Sequence, residues 1–273
     1  MKKTIKTTAL ATALIGCAIQ PALSHRAWLL PSTTVLSGEN TWVTFDAAVS
    51  NNLFFANHRG VDPESVQVIG PDGKAASIQN ASQGHFRSTF DLELSQEGTY
   101  QIFSGRDGLS AMWKEGDERK RWRGTAEELA KEGLAKKEGV RLSENVSRVV
   151  TFVTSGKPNK EALKPTGKGL EIVFTHNHPN DLFAGEEATF TLHLNGKPAA
   201  ATEVTLVKGN DRFRNDAGEV KVTTNEKGEF SITWKEAGRY WINASVSADG
   251  GEIDGVPLSK RSSYTATLEV LPE

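Results

Sequence analysis

Short runs in which apolar and polar residues alternate, separated by Gly, Asn and Asp, recur along most of this chain and constrain its fold more than any other feature. Alternation with period two marks strands that bury one face, and turn residues between such runs fold them back antiparallel. Residues 41–46, 66–69 and 86–94 are three such runs in the first half. The second leads into Pro71-Asp72-Gly73, where proline sets φ and glycine supplies a positive-φ position. In the second half, 188–194 is followed by Asn195-Gly196, the favoured dipeptide of two-residue hairpins, and then by 204–207, 220–222 and 230–234.

The halves share a local signature. Gly84-x-Phe86 leads to Gly98-Thr-Tyr100, and Gly228-x-Phe230 leads to Gly238-Arg-Tyr240. The pattern predicts an all-β chain with one short helix, built as two related β-sandwiches at 25–156 and 170–273. Residues 157–169, with Pro158 and Pro165 among lysines and glycines, read as the linker. The helix is expected near 125–138, because Thr125 and Glu128 are spaced to cap each other's free amides. Ala126, Leu129, Ala130, Leu134 and Ala135 would share its apolar face, packed on a sandwich edge, and Gly139 would end it.

The N-terminus bears on compartment. Lys2, Lys3 and Lys6 precede an apolar run over 9–18, and Pro21-Ala22-Leu23-Ser24 supplies a helix stop and small residues before a cut. This predicts a signal peptide, residues 1–24, and a mature periplasmic protein that begins at His25. A competing reading takes Leu14-Ile15-Gly16-Cys17 as a lipoprotein box with Cys17 lipidated. Cleavage after Ser24 would remove the sole cysteine and leave 29 basic against 34 acidic residues. That acidic balance argues against nucleic acid or an anionic membrane as partner, and any metal would be held by nitrogen or oxygen.

A newly exposed N-terminal His25 could chelate a metal through its amine and its ring together. A third imidazole would complete a nitrogen site suited to copper(II) or nickel(II), and His58, after the loop-like stretch 51–57, is the first candidate. The plain alternative makes both ordinary surface residues. His176-Asn177-His178 is a second candidate, since a strand there would point both rings to one side; a polar strand end or interdomain loop is the ordinary account. His85 and His193 read as structural, as do Trp28 and Trp42, and Asp46 as either a structural acceptor or an oxygen ligand. The run Arg119-Lys-Arg-Trp-Arg123 reads as a solvated face.

The opening His25-Arg-Ala-Trp-Leu-Leu-Pro-Ser32, the segment 45–49 and Pro179-Asn-Asp-Leu-Phe-Ala-Gly-Glu186 resemble an uncharacterised family of exported bacterial proteins linked by name to nickel-uptake accessory components. The second half resembles an immunoglobulin-like or transthyretin-like module. The resemblance implies nickel, as an ion or a metal complex, as ligand and a membrane metal transporter as partner, with copper, cobalt and iron open as well on the histidine chemistry; the His-Pro-Asn-Asp portion favours His178 over His176. Catalytic motifs such as Gly-x-Ser-x-Gly and His-Glu-x-x-His are absent from the sequence. The expectation is therefore a non-enzymatic, periplasmic metal-binding accessory. An adhesive, structural or carbohydrate-binding module is the alternative, and a copper-brace oxidative enzyme is the third reading.

Overall fold

A computed structural model describes residues 25–38 and 41–273; the expected signal peptide and Cys17 lie outside the described residues. Among the described residues the chain is all-β with one short α-helix, and its strands form three sheets of five, ten and four strands. The five-stranded front sheet is built around Arg26–Pro31, Thr41–Ser50 and Ser88–Leu94. The four-stranded rear sheet comprises Leu170–Val173, Glu187–Leu194, Lys197–Pro198 and Glu229–Thr233. Between them runs the ten-stranded central sheet. Its long members are Gly98–Glu115, Arg141–Ser155, Gly238–Ile253 and Val256–Val270.

Alternation along the central strands sends successive side chains to opposite layers. Tyr100, Ile102 and Val153 pack with Val43, Phe45 and Phe90 of the front sheet, where the Phe45 and Phe90 rings stack at 4.9 Å. Phe103, Val150 and Phe152 go the other way, joining Ile172, Phe190 and Phe230 of the rear sheet. The central sheet thus serves as one wall of both sandwiches. It is continuous across the halves because Arg141–Ser155 pairs in parallel with Val256–Val270, from Leu142↔Leu258 to Thr151↔Thr267. A third cluster, in which Trp28 and Leu30 meet Val207 and Trp241, fastens the first strand to the second half.

Several local expectations hold. Asn195 and Gly196 take φ of 51° and 76°, the double positive φ of a type I′ hairpin turn. The shared Gly-x-Tyr signature has a physical basis: the Tyr100 hydroxyl donates to the Gln96 carbonyl at 3.1 Å and that of Tyr240 to the Glu236 carbonyl at 2.7 Å. These are matching tyrosine corners, each reaching back four residues to pin the turn before a long central strand. The upstream part of the signature does not match, since Phe86 is 49% exposed and Phe230 is buried.

Other expectations are corrected. The presumed linker 157–169 is packed: Glu161–Leu163 forms a 3-10 turn that buries Ala162 and Leu163, and Leu163 reaches the rear core. The helix is shorter than expected, Ala126–Lys131 followed by a 3-10 turn at Leu134–Lys136, since Gly133 adopts φ of 62° and breaks the run. Its capping box is present in both directions. Leu129, Leu134 and Ala135 are buried while Ala126 and Ala130 are exposed. Trp42 is 45% exposed and does not pack in the core.

Candidate functional site

The first described strand is held tightly where it begins. Arg26 donates to Asp211 at 3.0 Å and to Glu219 at 2.5 Å, and its guanidinium lies over the Trp241 ring at 5.5 Å. Asp211 is buried and also accepts from the Leu53 backbone amide at 2.9 Å, so one carboxylate fixes both the strand and the following loop. Trp241 Nε1 donates to the Ala27 carbonyl at 3.0 Å. The loop 51–58 is braced from within by Asn57, whose Oδ1 accepts from the Asn51 amide and whose Nδ2 donates to Asn52. Arg212 caps it from outside, 3.8 Å over the Phe55 ring.

This bracing brings His25 and His58 together. Strand Thr41–Ser50 lies between Arg26–Pro31 and Arg59–Gly60, so the two histidines flank its end from opposite sides. Their rings meet at a centroid distance of 3.8 Å with planes 23° apart, and both side chains are exposed. Desolvation by the neighbouring ring, with His25 and then Arg59 as nearby positive charge, lowers the His58 pKa. The neutral ring, the form that binds a metal, is therefore favoured at neutral pH. His25, with Arg59 beside His58, lines a cleft of about 1260 Å³ between the first strand, the segment 215–219 and the central sheet.

The second histidine pair is resolved differently. Residues 175–177 form a bend and not a strand, so His176 and His178 are not set side by side on one face. His176 is exposed. His178 is partly buried, its Nδ1 accepts from the Asn180 amide at 3.2 Å, and its Nε2 faces Thr99 Oγ1 at 3.0 Å and the Asn159 carbonyl at 3.3 Å. A neutral ring that accepts at Nδ1 carries its proton on Nε2, which then donates to those oxygens. Burial lowers its pKa, in keeping with that neutral form. Both nitrogens are committed to hydrogen bonds in this structure. Asn180 extends the knot by accepting from Thr154 at 2.9 Å and donating to the Phe152 carbonyl at 3.0 Å. The Pro179-Asn180 neighbourhood thus locks the two halves together.

Asp46 meets Arg87 at 3.4 Å, His193 lies in the rear sheet opposite Pro198, and His85 sits edge-on against Phe86 at 4.7 Å. Sequence reasoning missed Asp211 and Trp241, whose partners lie 185 and 214 residues away. It also missed Arg59, for which adjacency to His58 was the available signal. Among the described residues, no group of three or more His, Cys, Asp or Glu side chains converges to hold a metal ion. Nor is any helix among them long and apolar enough to cross a membrane.

No curated protein matches the chain. Solved structures similar to it include the D0-D1 domain of intimin, at 13% identity over 89% of this chain and 97% of that one, with a TM-score of 0.21. A DUF4785 family protein from Legionella pneumophila shows 8% identity over 79% of this chain and 50% of that one, with a TM-score of 0.25. A marsupial T cell receptor shows 10% identity over 91% and 74%, with a TM-score of 0.21. Superpositions at these scores carry no inference about function. The model of a domain of unknown function, DUF4198, matches residues 22–248, and the chain belongs to that family.

Proposed function

We propose that this is a periplasmic protein that binds a transition-metal ion, or a small complex of one, through His25 and His58, and serves as an accessory to metal uptake or handling. The observation that carries the reading is the meeting of the two rings at 3.8 Å on a braced strand start and a braced loop. In this reading export removes residues 1–24, and the freed amine of His25 becomes the third nitrogen donor. That donor set, two imidazoles and an amine with no thiolate, suits copper(II) or nickel(II) over magnesium or calcium.

Two nitrogens on adjacent corners of a metal with bonds of about 2.0 Å lie roughly 2.8 Å apart and point at one centre. Stacked rings do not point at one centre, so one imidazole turns about its side-chain torsions as the ion enters. Both rings are exposed, which leaves that rotation free. The low His58 pKa reduces competition from protons.

The test uses protein purified from the periplasm, with its terminus fixed by mass, titrated with nickel(II) and copper(II) by calorimetry at neutral pH. One-to-one binding is expected. It should be lost in His25→Ala, strongly weakened in His58→Ala, and weakened by one extra residue placed before His25. Unchanged affinity in the extended variant would remove the amine from the site, and no binding at micromolar concentrations would end the metal reading.

A further inference from the structure

Beyond the sandwiches, the central sheet carries a polar face that the metal reading does not use. In a sheet, residues directly opposite one another in register share a face. Arg106 lies opposite Ser147, which lies opposite Ser263, and the next row in the same direction is Gly108, Asn145 and Arg261. A further row begins Ser110 and Ser143, whose hydroxyls meet at 2.7 Å. This face continues the one the front sheet covers at Tyr100 and Ile102. Gly108, whose φ of 143° is a positive value that favours glycine, adds no side chain to the floor.

The edge strand Glu118–Gly124 adds a wall. Arg123 lies opposite Ser110 and Arg121 opposite Met112, so both share the face of Ser110, while Trp122 and Lys120 between them lie on the other. The alternation in Arg119–Arg123 is therefore that of an arginine-bearing strand and not an undifferentiated charged run. Two adjoining clefts, of about 1040 and 1260 Å³, follow this face and share Gly105, Arg106, Ser147, Arg261 and Ser263. From Ser104 to Ser110 the trough runs roughly 20 Å along the strands.

Its charge is unbalanced. The described arginines that meet a carboxylate are Arg26, Arg87, Arg148 and Arg239, and none of those belongs to the arginine set here. Arg59, Arg106, Arg121, Arg123 and Arg261 have no carboxylate within 4.0 Å among the described residues. Of the acids that line the two clefts, Asp107 pairs with Lys168, Glu144 with Lys260 and Glu219 with Arg26, while Asp62 and Asp216, at the end of the larger cleft, have no cationic partner within 4.0 Å among the described residues, which leaves the arginines in excess. Desolvation together with Arg106, Arg121 and Arg59 lowers the pKa of Arg123, as expected for guanidinium groups crowded on one another. Like charges gathered over a floor of hydroxyls and one amide form a place for an anion, and guanidinium forks suit carboxylates.

We infer that this trough binds an extended acidic oligosaccharide, its carboxylates on Arg106, Arg121, Arg123 and Arg261 and its hydroxyls on Ser147, Asn145 and Ser263. Length and floor chemistry decide the class: roughly 20 Å exceeds a single small acid, and a floor rich in hydroxyls matches a ligand rich in hydroxyls. The inference stands apart from the metal reading and can fail without it.

The test titrates metal-free protein with hexagalacturonate, with oligoglutamate of similar charge, and with the neutral maltohexaose, by calorimetry at low and at physiological salt. Saturable binding of hexagalacturonate, weakened by salt and at least tenfold weaker in both Arg106→Ala and Arg261→Ala, supports the inference. Thermal melts check that these exposed substitutions leave the fold intact. Equal binding of oligoglutamate would overturn the sugar assignment. Equal binding of maltohexaose would overturn the role of charge, and no binding of hexagalacturonate would overturn the whole.

Discussion

The far end of the central sheet has two faces made by the same strands and treated in opposite ways. On the reverse face, Leu109, Ala111, Leu142 and Leu258 are buried beneath Leu129, Leu134 and Ala135 of the short helix and its following turn. On the other face the same strands present Arg106, which is exposed, and Ser147, Asn145 and Ser263, which are half-buried, along the trough. Covering an apolar face supplies about 1.5–3 kcal/mol per large side chain, so the reverse face accounts for the stability of the extension. The bare face costs little and returns little to folding. A surface kept free of packing, over a sheet already stabilised from behind, is where binding can be developed without loss of fold.

The contrast can be broken most sharply from the covered side. Leu129 is fully buried, and Leu129→Ala should cost about 2–5 kcal/mol in chemical denaturation. A cost below 1 kcal/mol would mean that the helix does not hold the extension. The body of the molecule gives an intermediate case through the His178 knot. His178→Ala should cost about 1–3 kcal/mol, because the Asn180 amide and the Thr99 hydroxyl lose a buried partner. The pH dependence has a definite sign. The folded pKa lies below the ordinary 6.5, so the unfolded chain takes up a proton first as pH falls. His178 stability is thus fully present above about 6.5 and declines below it, and denaturation series at several pH values should show that part of the slope missing in His178→Ala. The smallest effect belongs to the bare face: Ser263→Ala should change stability by less than about 0.5 kcal/mol, and a larger loss would show that this face is structural.

What the sequence made legible was local. Asn195-Gly196 specified its turn and Thr125 with Glu128 specified a helix start, because each signal lies within four residues and states its own hydrogen bonds. His25 and His58 were paired on chemistry, by the demand of a terminal chelate for a third nitrogen, and the fold brings their rings together; what they bind is a separate matter. The misreadings share a cause. Period two tells which face a residue occupies but not which strand lies beside it, so the parallel pairing of 142–151 with 258–267 had no signature. The same blindness hid the trough, whose rows join residues from four distant strands. His176-Asn177-His178 was left between a strand that would pair its rings and a strand end or loop, because spacing alone cannot show the bend that Asn177 makes in accepting from the Thr189 amide at 2.8 Å.

That parallel pairing also sets a timetable. A chain made from its N-terminus completes Arg141–Ser155 long before Val256–Val270 exists to cover its edge. Until then the first half presents an open ten-residue strand edge, a Trp28 whose cover from Val207 and Trp241 is still to come, and a helix platform lacking Leu258. Such an edge invites pairing with other chains. Folding therefore waits for nearly the whole polypeptide, and its high contact order makes it slow.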